Sequence, residues 1–359
     1  MTNSPKTILM LGASYGSLFA TKLALAGHNT TMVCLPAEEQ LINKEGTVIR
    51  LPVRGLDNPV ELRSTELDGK ISACSADAAK PEAYDLIVLA MQEPQYSVSV
   101  VKNLMQRIAA SKVPCMSIMN MPPMPFLARL PGVSLDDLSA AYTDPEIWSA
   151  FNPDLMTLAS PDPQAFRPPG EPVNVLQVGL PTNFKVARFE SDDHTQLLTQ
   201  LQNDIQNIRY TVDGNSIELP VKLRLHESVY VPLAKWLMLL AGNYRCVGDS
   251  DMRSIRDAVH SDLDASKDIY EWVGKLCIGF GASESDLVPF EKYASAAIAL
   301  LKPSSAARAL AGGARNIERV DKVVQTLAQV KGLQHNEVDA IVRRVDGWLE
   351  KNQSQEAIS

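Results

Sequence analysis

Residues 12–17, Gly-Ala-Ser-Tyr-Gly-Ser, have the types and spacing to bind an anion. They follow a short apolar run, Thr7 to Leu11, that reads as a strand buried on both faces. After them Leu18, Phe19, Leu23 and Leu25 recur at helical spacing, with Gly27 as the stop and Asn29 to Cys34 as a second strand. In a dinucleotide-binding G-x-G-x-x-G turn, one glycine makes the bend, one lets backbone approach the pyrophosphate, and one lets helix and strand pack closely. Here Gly12 supplies the bend and Gly16 the packing, the loop is one residue shorter, and Ser14 stands in the region of close approach. The helix start still turns free N–H groups and the positive end of its dipole toward a phosphate.

A second group of candidates lies far along the chain. Lys235 sits among Leu233, Trp236 and Leu237, in a helix apolar enough that an unpaired lysine would be costly. Positions 235, 239 and 243 share one face of a regular helix, which brings Asn243 to the side of Lys235. Other candidates have simple structural roles as alternatives. Asn243 beside Gly242 could end a helix, Ser304-Ser305 after Pro303 could start one, and Glu318 between Arg315 and Arg319 could be a surface ion pair. Asn120, at the end of the apolar run "VPCMSIMN", is a buried amide in need of partners. At the end of the second strand, Glu38 or Glu39 could reach a ribose hydroxyl, although a solvated acidic loop is the simpler expectation. No pair of the five histidines has metal-ligand spacing; His28 falls in a turn and His226 could cap a helix start.

Elements that could position these residues follow from the same patterns. "YDLIVLAM" at 84–91, a periodic segment from Tyr96 to Ala110 and the run 113–120 continue the strand and helix alternation, so a parallel, doubly wound sheet is expected, with ligands beyond its carboxyl ends. Gly12, Met91 and Asn120 fall at such ends. A proline-rich stretch, about 121–172, interrupts the pattern as a lid or an insertion on the sheet. "VNVLQVGLP" and "FKVARFES" then look like a hairpin, and Asp192 to Ile208 like a helix. From about His226 to Asn352 nearly every segment is helix-compatible, and the boundary is expected near residue 222. The expected domains are therefore 1–221, of Rossmann type, and 222–359, all helical.

Composition limits the partners. The 359 residues exceed what one core usually serves; 45% are apolar and 21% charged, as in ordinary globular chains. A formal net charge of −8 argues against nucleic acid. No run is long and apolar enough for a membrane span and no signal-peptide pattern opens the chain, so a cytoplasmic protein is expected. The five cysteines are scattered without C-x-x-C, giving neither a disulfide framework nor a metal site, and read as small buried hydrophobes.

With these elements laid out, the chain resembles the ketopantoate reductase (2-dehydropantoate 2-reductase) family as a divergent member. The resemblance runs through "LGASYGSLFATKLALAGHNTTMV", "NKEG", "YDLIVLAMQ", "SIMNM", "PLAKWLMLLAGN" and "KPSSAARALAGGARNIERVD", and covers most of the chain outside the proline-rich stretch. It implies a Rossmann domain followed by a helical domain like the C-terminal domain of 6-phosphogluconate dehydrogenase. It implies hydride transfer from NADPH or NADH to a small 2-oxo acid, with Lys235 as proton donor and Glu318 orienting the lysine or holding a substrate hydroxyl. Asn120, Asn243, Ser304 and Ser305 would contact substrate; Gly12, Ala13, Ser14, Tyr15, Gly16, Ser17, Met91 and Asn120 would contact the nucleotide. NADPH is favoured by the resemblance alone, because the arginine that selects it in the family is replaced by the region of Leu35. The family's lysine after its fourth strand is replaced by Met91 or Gln92, and Leu239 stands in place of another asparagine. A small molecule is the expected partner, and the family admits a homodimer. Two alternatives keep the same fold: a non-catalytic, ligand-binding descendant, and an opine-type or amine-forming dehydrogenase.

Overall fold

A computed structural model describes residues 4–354, which cluster into two compact units. The first comprises the chain up to Met91, Gln95–Phe126 and Glu146–Val229; the second comprises Gln92–Pro94, Leu127–Pro145 and the chain from Tyr230 onward. The proline-rich stretch is thus divided between them.

The first unit holds all the strands of the described residues: β1 (Thr7–Leu11), β2 (Asn29–Val33), β3 (Val48–Leu51), β4 (Val60–Arg63), β5 (Ile71–Cys74), β6 (Leu86–Leu89), β7 (Cys115–Ile118), β8 (Met156–Ser160), β9 (Gln164–Phe166), β10 (Val175–Leu180), β11 (Phe184–Ala187), β12 (Tyr210–Val212), β13 (Asn215–Ile217) and β14 (Leu223–His226). Eight form one sheet in the order β14-β11-β8-β7-β6-β1-β2-β5. Its pairs are parallel except β8 with β11. The central strands β6, β7 and β8 are buried at every residue, which is why they read as unbroken apolar runs instead of alternating ones.

Helices α1 (Tyr15–Leu25), α2 (Pro36–Glu45) and α3 (Ser99–Ser111) follow β1, β2 and β6. Helix α1 is buried along almost its whole length, from Gly16 to Ala24, because it packs against β2, β3 and the helix Asp192–Gln206. Phe19 meets Phe184 edge-on at 5.4 Å, and burial of such a side chain contributes roughly 1.5–3 kcal/mol.

The expected hairpin at 173–191 is not formed. β10 lies parallel to β3 and antiparallel to β9 in a second sheet, β4-β3-β10-β9, whereas β11 joins the large sheet between β8 and β14. Apolar alternation reports which face a strand buries, not which strand lies beside it. His226 does not cap a helix: it ends β14, opposite Ala187.

The second unit is helical. Its longer helices are Leu263–Gly279, Val320–Val330 and Asn336–Ser354, the last two with buried apolar stripes at helical spacing. Ser254, Asp262 and Ser304 cap helix starts through side-chain oxygens. The segment that carries Lys235 is irregular: a 3-10 turn, Val231–Ala234, one α turn, Lys235–Met238, a π turn, Leu239–Asn243, and a 3-10 turn, Tyr244–Cys246. Among the described residues no helix is long and apolar enough to cross a membrane.

Candidate functional site

In the first unit the sheet order places the ends of β1, β6 and β7 side by side, so Gly12, Met91 and Asn120 come to one edge. Gly12 has φ +107° and donates its N–H to the carbonyl of Val33 at 3.2 Å. A Cβ there would lie 2.6 Å from the carbonyl oxygen of Ala90 and 2.9 Å from Cγ of Met91, so β6 approaches the turn too closely for any other residue. Gly16 does the packing: a Cβ would meet Cγ of Met10, on β1, at 2.8 Å.

Ser14 is exposed and makes no side-chain cap, while Ser17 turns its hydroxyl back to the carbonyl of Ser14 at 2.7 Å. The side chain of Ser14 thus takes none of the N–H groups that open α1, and its carbonyl accepts that of Ser17 at 3.3 Å. Ala13 is buried in the core. The ring of Tyr15 meets Phe184 edge-on at 6.0 Å, and its hydroxyl donates to the carbonyl of Pro163. Burial, and then Asp162, hold its phenol well above the usual range. The N–H of Met91 donates to the hydroxyl of Tyr96 at 3.1 Å, and Asn120 is half-buried two residues beyond β7.

The end of β2 departs from the expectation of a solvated acidic loop. Leu35 is 71% exposed, but Glu38, in the first turn of α2, has a side chain only 14% exposed. One carboxylate oxygen accepts the N–H of Leu35 at 3.3 Å, and the other accepts the guanidinium of Arg167, just past β9. An acid and an arginine therefore meet where a nucleotide-binding sheet distinguishes riboses. Sequence reasoning missed Arg167 because its partner is 129 positions away. Burial first, then Glu38 and Glu39, push the neighbouring Cys34 thiol up to about 12, which leaves it protonated and unreactive.

In the second unit the predicted residues converge on one turn. Lys235 and Asn243 are half-buried, and the π turn between them rotates less per residue than an α-helix, which keeps both toward one side. Leu239, between them in sequence, is 3% exposed, and Met238 is half-buried. Gly242 ends no helix: it lies inside the π turn, where a Cβ would fall 1.9 Å from the hydroxyl of Tyr293. That hydroxyl donates to the carbonyl of Met238 at 3.1 Å.

Ser304 donates to the carbonyl of Asn243 at 2.7 Å and accepts the N–H of Ala307 at 3.2 Å, so it caps a helix and ties that helix to the π turn. Ser305, the next residue, is exposed. Tyr244 donates to the carbonyl of Glu318 and accepts the N–H of Val320 at 3.0 Å. Glu318 is buried, not a surface acid, and the adjacent Arg319 pairs with Asp321 at 2.9 Å and Asp346 at 2.5 Å.

Two further buried groups had no sequence signal. Glu93 accepts the N–H and hydroxyl of Thr143 at 3.0 and 2.8 Å, and burial holds its carboxyl above the usual range against those bonds. Tyr142 lies in the field of Glu93 and Glu318, and burial, then the two acids, raise its phenol. A cleft of about 210 Å³ beside this group is lined by Tyr142, Thr143, Asn316, Ile317, Arg319 and Asp346; Lys235, Asn243, Ser304 and Ser305 do not line it.

No protein-family model matches the chain, and no curated protein matches it in sequence. Solved structures do match its fold. The 2-dehydropantoate 2-reductase of Methylococcus capsulatus is 13% identical, with a TM-score of 0.66 over 96% of this chain and 97% of its own. A D-mandelate dehydrogenase solved with NADH and anilino(oxo)acetate is 13% identical, with a TM-score of 0.64 over 97% and 99%. A dimeric ketopantoate reductase from Staphylococcus aureus is 9% identical, with a TM-score of 0.59 over 96% and 99%. From its Rossmann-type sheet to its helical C-terminal region, this chain has the fold of the ketopantoate reductases.

Proposed function

We propose that this chain is a nicotinamide-nucleotide-dependent reductase of a small 2-oxo acid or related carbonyl compound. The turn Gly12–Ser17 and the uncapped start of α1 would hold the pyrophosphate, with Met91 and Asn120 along the same sheet edge. The bound nucleotide supplies the hydride. Lys235 donates the proton that the developing alkoxide needs and stabilises its charge. Asn243 gives a neutral donor on the same side, Ser305 an exposed hydroxyl for the carboxylate, and Glu318 a buried acid that orients the lysine. Ser304 acts through Asn243, as a positioning residue. Met238 beside Lys235 favours a substrate with an apolar flank.

The observation that supports this reading best is the convergence of Ser304 and Glu318, from distant stretches, on the Asn243-Tyr244 turn of the Lys235 helix. The D-mandelate dehydrogenase of the same fold was solved with ligands of the kind the reading requires, and a dimer is the assembly of another such protein. Titration with NADH and NADPH, followed by nicotinamide fluorescence, tests the nucleotide site. Lys235→Ala should then reduce turnover of 2-oxo acids by roughly 10²–10⁴-fold with nucleotide affinity kept. Unchanged turnover removes Lys235 from the mechanism.

A further inference from the structure

The end of β2 carries more than a nucleotide fold requires. Glu38 is held at both oxygens, by the Leu35 N–H and by Arg167, which arrives from β9 in the other sheet. A carboxylate has about four acceptor positions, so two remain for a hydroxyl donor. Glu39 adds a second acid in the same turn of α2, leaving the local charge negative against the single Arg167. Such a site accepts a neutral ribose and opposes a 2′-phosphate.

We propose that Glu38 and Arg167 are the nucleotide-selecting pair of this chain. Glu38 accepts the 2′-hydroxyl of the adenosine ribose, Arg167 positions that carboxylate, and NADH is preferred over NADPH. This rests on the nicotinamide-nucleotide reading above and deepens it. It places selection on an arginine from β9, and reverses the preference that resemblance alone suggests. Removing the charge of Glu38 frees the guanidinium of Arg167, which is then the natural ligand of a 2′-phosphate.

The test is a titration of the full chain with NADH and with NADPH, following nicotinamide fluorescence, for the wild type, Glu38→Gln, Arg167→Met and the double variant. The wild type should bind NADH about tenfold or more tightly than NADPH, the size of a hydrogen bond to a charged group. Glu38→Gln should reverse that ratio, and adding Arg167→Met should abolish the reversal. Arg167→Met alone should weaken NADH severalfold, because Glu38 loses its anchor; melting curves without nucleotide establish that each variant folds. If Glu38→Gln proves unfolded, Arg167→Met carries the test by itself. The proposal is overturned if the folded wild type prefers NADPH, or if both nucleotides bind and no variant shifts their ratio. Binding of neither nucleotide overturns the cofactor reading as well, and so is a distinct result.

Discussion

The hydroxyl of Tyr293 donates to the carbonyl of Met238 at 3.1 Å, where the helix bearing Lys235 widens into its π turn. Within that turn the N–H of Tyr244 reaches back five residues to Leu239. The approach of the phenol depends on Gly242, since a Cβ there would stand 1.9 Å from the hydroxyl oxygen but 3.2 Å from the ring carbon that bears it. Gly242→Ala should therefore destabilise the protein by about 1–3 kcal/mol, as overpacked cores do. Tyr293→Phe should cost about 0.5–1.5 kcal/mol, the net value of one hydrogen bond. In the double variant the worst clash is gone, so the two losses should add to less than their sum, measured as a double-mutant cycle in denaturant. Either variant moves Asn243 relative to Lys235, so kcat should fall with nucleotide affinity unchanged. Strict additivity would mean that Tyr293 does not shape the π turn.

The two loop glycines should respond unequally to alanine. At Gly12 the added carbon faces the backbone carbonyl of Ala90, just past β6, at φ +107°, so neither partner can move cheaply. A loss of about 2 kcal/mol or more is expected from strain and overpacking together, with nucleotide binding lost. At Gly16 the obstacle is the flexible side chain of Met10, which can rotate away, so a loss below about 1.5 kcal/mol is expected. Melting temperatures with and without NADH separate the two. Equal effects would show that the turn itself relaxes.

The contrast between these glycines was legible in the sequence, because a buried strand, a glycine bend and apolar residues at helical spacing state their geometry locally. Other features depend on partners far along the chain. Nothing near Glu38 announces Arg167, so the acid looked solvated. Nothing in "VNVLQVGLPTNFKVARF" says that β10 belongs beside β3, since its short polar break suits a hairpin equally well. The π turn was also hidden: Leu239, Leu240 and Ala241 suit an α-helix as well as a wider one, and only the phenol of Tyr293 explains why Gly242 interrupts them. Ser304 carried a correct signal for a cap, and its second bond, to Asn243, is what links it to the candidate site.

Arg319 holds Asp321 through Nε at 3.0 Å and its terminal nitrogen at 2.9 Å, and reaches Asp346 on the last helix at 2.5 Å. Asp321 is fully buried and Arg319 nearly so. Asp321→Ala removes the fully buried partner and two of these three bonds, leaving the buried guanidinium only the partly exposed Asp346, so it should cost about 3 kcal/mol. Replacing both, as Arg319→Met with Asp321→Leu, should cost much less than Asp321→Ala alone. Because Glu318 precedes Arg319 directly, the double variant should remain folded yet lose turnover. Full activity in that folded protein would show that the ion pair does not position Glu318.

Lys22 is a buried cation on α1, and it carries a pH dependence. Its ammonium nitrogen, on α1, donates to the carbonyl of Pro220 at 3.0 Å, and its side chain is 1% exposed. Burial, with a smaller contribution from Lys222, lowers its pKa from 10.5 to about 7, against the pull of Glu218. Between those values the unfolded chain carries a proton on this lysine that the folded protein has released. Stability must therefore rise with pH across that window, by at most about 1.4 kcal/mol per pH unit from this one group, and fall again as pH drops toward 7. Below 7 both states are protonated and the slope from Lys22 vanishes. Lys22→Met removes the group from this linkage, so its unfolding free energy should rise less steeply than the wild type's between pH 7 and 10, whatever the change in absolute stability. Chemical denaturation at a series of pH values checks this. Parallel curves for the two proteins would mean that Lys22 keeps its proton inside the fold, held there by Pro220 and Glu218.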